Sequence, residues 1–100
     1  MAQPRENLSV IFHELCSNVY FQPPTNTKLQ YPCIEYSFDG VDERHANNNG
    51  YLDCFKYTIT YITRDPDDPI IRELFRLRFC SFDRSFVKDN LYHYVYSIYY

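Results

Sequence analysis

Between residues 6 and 18 the apolar positions are Leu8, Ile11, Phe12 and Leu15. That i, i+3, i+4, i+7 spacing predicts an amphipathic helix, with Glu6, Asn7, His13 and Glu14 on its polar side. Val19-Tyr20-Phe21 then predicts a short strand, ended by Pro23-Pro24 and followed by a polar loop over residues 25–30. From residue 31 to 38 the period changes to two. Ile34, Tyr36 and Phe38 alternate with Cys33, Glu35 and Ser37. Residues 51–64 repeat the alternation, with Phe55, Tyr57, Ile59 and Tyr61 set against Lys56, Thr58 and Thr60. The linking stretch, residues 39–50, is too long for a tight turn and predicts an extended, mobile arm or loop between antiparallel neighbours.

Asp65-Pro66-Asp67-Asp68-Pro69 stops one element and starts another. Asp68 suits a helix N-cap and Pro69 the first helical position. Ile70, Ile71, Leu74, Phe75 and Leu77 predict a helix of about three turns, with Arg72, Arg76 and Arg78 biased towards its C-terminal end. Residues 80–87 and 91–100 predict two further strands joined by the turn Lys88-Asp89-Asn90. The order is α-β-β-β-α-β-β. Helices and strands do not alternate strictly, so the expected class is α+β: a mainly antiparallel sheet with two helices on one face, in a single domain of residues 1–100.

Composition changes this picture in one respect. Eleven Tyr and eight Phe bring the aromatic share to 19% of 100 residues, with no Trp and two Gly. Disorder is excluded by that content. A chain this short has one core, and it cannot hide every ring, so some rings are expected to face a partner. Phe12, Phe38, Phe55, Tyr57, Tyr61 and Phe75 fall on the core-facing stripes. The surplus lies in the last strand, where Tyr92, Tyr94, Tyr96 and Tyr100 share one face.

The formal charge of -3 argues against a domain that grips nucleic acid by its phosphates. Cys16, Cys33, Cys54 and Cys80 are spread without a Cys-x-x-Cys pair, so reduced thiols are expected and a zinc site is not. Met1-Ala2-Gln3 lead into Pro4-Arg5-Glu6 with no apolar h-region, and no run approaches the length of a bilayer span, so neither a secretory signal nor a membrane partner is expected. His13, His45 and His93 fall in three separate elements and lack metal-ligand spacing. His13 is expected in solvent and His93 packed or hydrogen-bonded. No cysteine is singled out for pairing with a histidine, and two glycines cannot build a phosphate loop. The expectation is a protein that is not an enzyme, with no catalytic residue, metal or cofactor. The acidic run at Asp65, Asp67 and Asp68 reads as turn and helix-start chemistry.

Four stretches together carry a resemblance: "VYFQPP" at 19–24, "LQYPCI" at 29–34, "RDPDDPI" at 64–70 and "CSFDRSFVKDNLYHYVYSIYY" from residue 80. In that order they resemble the tail-terminator (tail-completion) proteins of long-tailed bacteriophages, over nearly the whole chain. The resemblance implies an α+β fold and a structural role at the tail–neck junction of the virion, assembled in the host cytoplasm. It implies a homo-oligomeric ring, a hexamer, that sits on the major tail tube protein, ends tube polymerisation and receives the head-completion connector, while DNA passes the lumen without sequence-specific binding. A head-closure or connector subunit is the neighbouring reading. A small module binding single-stranded nucleic acid on the terminal tyrosines is the reading from another class.

The pattern, not the family, supplies the candidate interface residues: Asp42, Glu43 and Arg44 in the long linker, Arg64 and Asp65 at a turn, Arg84 in a strand, and Tyr96 and Tyr100 in the last strand. Asp39, Asp42 and Glu43 are the candidates for an acidic lumen past which DNA slides.

Overall fold

A computed structural model describes residues 4–42 and 54–100. The element order is the one the pattern predicts: α1 (Arg5–Leu15), β1 (Val19–Phe21), β2 (Cys33–Asp42), β3 (Cys54–Thr63), α2 (Ile70–Phe75), β4 (Cys80–Lys88) and β5 (Leu91–Tyr99). The five strands form one sheet in the spatial order β1-β2-β3-β5-β4, parallel between β1 and β2 and antiparallel elsewhere. The class is α+β.

α1 buries Leu8 and Phe12, as its stripe dictates. It ends three residues before the predicted boundary. Cys16 is already extended, and its thiol donates to the Pro32 carbonyl at 3.4 Å, while Asn18 Nδ2 bonds the same oxygen at 3.1 Å. Ser17 and Asn18 favour such local bonding over helix continuation. α2 is also shorter than predicted, six residues in place of three turns. Asp68 starts it, its Oδ1 accepting the Ile70 N–H at 3.0 Å.

Both helices lie on one face of the sheet. Leu8 and Phe12 from the first, Cys16 just past its end and Leu74 from the second join Ile34, Tyr36, Tyr57, Ile59, Tyr61, Tyr96 and Ile98 in one core. The three largest fully buried side chains are tyrosines, and each hydroxyl reaches a helix or its cap. Tyr36 meets Ser9 and accepts from Arg5 Nη1 at 3.2 Å. Tyr61 donates to Asp68 Oδ2 at 2.6 Å, where Thr63 Oγ1 also donates at 3.1 Å. Tyr96 donates to the Ile71 carbonyl at 2.8 Å. Buried phenols therefore supply apolar area and also fix where each helix docks. Among the described residues, no buried side-chain nitrogen or oxygen lacks a partner.

The other sheet face is open. Its rows read Cys33–Ile62–His93–Phe86, then Glu35–Thr60–Val95–Arg84, then Ser37–Thr58–Ser97–Ser81. A small cluster of Cys33, Ile62 and Leu91 is covered there by Tyr20, Leu29 and Tyr31, from β1 and the segment that follows it.

Three aromatic assignments are corrected. Phe38, Phe55 and Phe75 lie on the predicted stripes but are exposed. Phe38 and Phe55 stand beyond the reach of the helices and lean on each other, ring centres 5.4 Å apart. Phe75 turns outward because α2 ends at that residue.

Candidate functional site

β4 is an edge strand, and its sequence explains why. Ser81, Asp83, Arg84, Ser85 and Lys88 interrupt its apolar residues, whereas β5 offers Tyr94, Tyr96 and Ile98 to one side and Val95 to the other. An inner strand has a neighbour on each side and is the more buried, so β5 takes that place beside β3 and β4 lies at the rim. From Ser81 to Lys88 every residue of β4 is exposed.

The pairing between β4 and β5 slips between Phe82 and Arg84, leaving Asp83 as an extra residue. Such a bulge reverses the alternation beyond it. Phe82 sits opposite Tyr96 on the helix-covered face, their rings 5.5 Å apart. Phe86, four residues on, sits opposite His93 on the open face and stacks on it at 4.7 Å. Without the bulge the two phenylalanines would share a face. The hairpin closes at Asp89-Asn90, both with positive φ (55° and 63°), as a two-residue turn matched to strand twist requires.

The joint between α2 and β4 stores strain. Phe79 lies in the left-handed region at φ 62°, which costs a bulky residue on the order of 1 kcal/mol. The residue is 62% exposed, with Arg78 over one side of its ring at 4.9 Å. Phe75 at the end of α2 is 57% exposed. Phe75, Phe79, Phe82, Phe86 and Val87 are thus exposed along the flank of α2 and β4, Phe82 and Val87 on one face of the strand and Phe86 on the other. Two of its features are readable in the sequence: a charged pair inside a strand pattern marks an edge, and Phe82 and Phe86 stand close to it.

The sequence-predicted interface residues do not converge. Tyr96 is corrected outright: it is 0% exposed in the single chain, so no neighbour can touch it. Tyr100 is half-buried against the core, and its backbone exchanges hydrogen bonds with Phe55 at 3.1 and 2.9 Å. Arg64 is exposed, 5.7 Å from the Tyr31 ring centre. Asp65 Oδ1 accepts the Asp67 N–H at 2.9 Å, as turn chemistry predicts. Arg84 alone belongs to the flank, paired with its neighbour Asp83 at 2.8 Å. Asp39 is in β2 rather than in a loop, the extra residue where the pairing with β3 slips, and its carboxylate lies 3.3 Å from Lys56 Nζ. Glu43 and Arg44, with the rest of the predicted arm to residue 50, lie outside the described residues, as does the side chain of Asp42.

Tyr94, Tyr96 and Tyr100 pack into the helix-covered core, so the face on which bases were to stack is occupied by the protein's own helices. His13 is exposed, and His93 Nδ1 bonds the Leu91 carbonyl at 3.1 Å. Cys16, Cys33 and Cys80 are free thiols. Burial pushes the Cys33 thiol up to about 12 and that of Cys80 up to about 11, which keeps both protonated and unreactive at neutral pH. Among the described residues, no group of three or more His, Cys, Asp or Glu side chains could hold a metal ion. No described helix is long and apolar enough to cross a membrane. Searches of protein-family models, characterised proteins and solved structures find no match to this chain.

Proposed function

We propose that this chain is the tail-terminator subunit of a long-tailed bacteriophage, a non-enzymatic protein that assembles as a ring on the end of the tail tube, stops its growth and offers a surface to the head-completion connector. One observation carries the reading. The flank formed by α2 and β4 leaves the outer edge of a nine-residue strand and several exposed phenylalanines in water, and assembly is the process that buries such surface. The α+β architecture agrees with the resemblance in the sequence, and a net charge of -3 suits a lumen past which DNA slides without sticking.

In this role α2 has a fixed place on the sheet, held by Tyr61 through Asp68 and by Tyr96 through Ile71, and β4 is held by its pairing with β5. The aromatic flank is where a neighbouring subunit or the tube meets them. The test is to add the purified protein to polymerising tail tube protein from the same phage and follow tube length by negative-stain imaging. Arrested tubes with a ring at one end are expected. Unchecked growth, or binding to the head-side connector alone, overturns the assignment.

A further inference from the structure

The two edges of the sheet are unequal. β1 offers three residues and β4 nine, so β1 cannot cover β4. What matches the outer edge of β4 in length and pattern is another β4.

The match follows from the bulge. The Phe79 carbonyl accepts the Tyr99 N–H, so the backbone groups of Phe79, and by alternation those of Ser81, face β5, while those of Phe82 and the Cys80 carbonyl face outward. At the other end the two-residue turn makes Lys88 and Leu91 the closing hydrogen-bonded pair. Lys88, Phe86 and Arg84 therefore face β5, and Ser85 and Val87 face outward. The outward residues are 80, 82, 85 and 87, a set symmetrical about the midpoint of Asp83 and Arg84. Side-chain faces obey the same symmetry: Cys80, Phe82, Ser85 and Val87 stand on the helix-covered face, and Ser81, Arg84 and Phe86 on the open face. A regular strand is symmetrical about a residue. This one is symmetrical about a bond because of its extra residue.

We propose that β4 pairs antiparallel with β4 of a second copy, across a two-fold axis at the Asp83–Arg84 bulge. In this register Phe82 pairs with the second copy's Ser85, Val87 with its Cys80 and Phe86 with its Ser81. Each Asp83 faces the other copy's Arg84. Two opposite-charge pairs fix the register, and Phe82, Phe86 and Val87 lose water on both faces of a continuous ten-stranded sheet. The contact stands on β4 alone and is independent of the ring reading. A two-fold pair closes on itself, so under that reading it hides the assembly edge until the tube end displaces it.

The test is light scattering on the full chain in the submillimolar range, with three variants. The wild type is expected at twice 12.1 kDa. Arg84→Asp places like charges opposite each other twice and should weaken the dimer roughly tenfold. The swap Asp83→Arg/Arg84→Asp restores both pairs and should restore the mass. Ser85→Pro removes an N–H that faces away from β5, so it should leave folding intact by circular dichroism and leave a monomer. A monomeric wild type overturns the proposal, as does a dimer that survives Ser85→Pro or one that the charge swap does not rescue. None of these results bears on tube capping.

Discussion

β4 and β5 are hydrogen-bonded neighbours of nine residues each, yet they live in different solvents. β5 holds Leu91, Val95, Tyr96 and Ile98 buried, whereas β4 has nothing buried at all. Beyond Phe12 of α1, which is buried, the aromatic residues of the sheet and of the α2–β4 flank divide in an unexpected way. The hydroxyl-bearing rings of Tyr36, Tyr57, Tyr61 and Tyr96 are inside, and the purely apolar rings of Phe75, Phe79, Phe82 and Phe86 are outside. Hydrophobicity alone would reverse that order. A buried tyrosine here spends its hydroxyl on a helix carbonyl, a capping carboxylate or a serine, so its polar atom costs nothing and its ring still fills the core. An exposed phenylalanine has no such use within the chain. Under the proposed assembly, that surface is what a neighbouring molecule would cover.

The contrast is sharpest in truncation. Tyr96→Ala removes a fully buried ring and should cost about 3–5 kcal/mol, whereas Phe82→Ala on the neighbouring strand should cost about 1 kcal/mol or less; urea unfolding measures both. Equal losses would show that β4 is as much a part of the core as β5. A smaller effect tests the helix anchors. Asp68→Ala leaves the Tyr61 and Thr63 hydroxyls and the Ile70 N–H without their acceptor, at about 2–3 kcal/mol. Tyr61→Phe should cost less, since the carboxylate keeps its other donors.

Alkaline pH probes the same groups. Burial raises the Tyr61 and Tyr96 hydroxyls and the Cys33 and Cys80 thiols above their ordinary values of 10.0 and 9.0. A folded value raised above the unfolded one gives stability that is complete below the unfolded value and drains away as pH rises. The unfolding free energy from denaturant titrations should thus fall from about pH 9 through pH 12, by about 1.4 kcal/mol per pH unit for each group that titrates only on unfolding. Tyr96→Phe should flatten the slope by one proton above pH 10, and a slope unchanged by it would place the titration elsewhere.

The smallest expected change has the opposite sign. Phe79→Gly relieves a left-handed backbone and removes an exposed ring, so it should stabilise the fold by up to about 1 kcal/mol while, under the proposed role, weakening tube capping. A loss of stability would mean that the Phe79 ring packs usefully within the single chain.

Much of this molecule is local in origin and was readable from the chain. Period 3.6 in α1, period two in β2 and β3, the Asp68-Pro69 helix start and the Asp-Asn turn each follow from side chains within a few residues of one another. So do the class and the element order. The candidate surface was only partly readable. Arg84 belongs to it, but Tyr96 does not, because a face shared by four tyrosines reads the same whether helices or water cover it. Strand order, the outward turn of Phe75 and the opposite faces of Phe82 and Phe86 were decided by tertiary structure. Each depends on which strand won the inner place in the sheet and on a single slipped residue, and no local pattern carries those long-range choices.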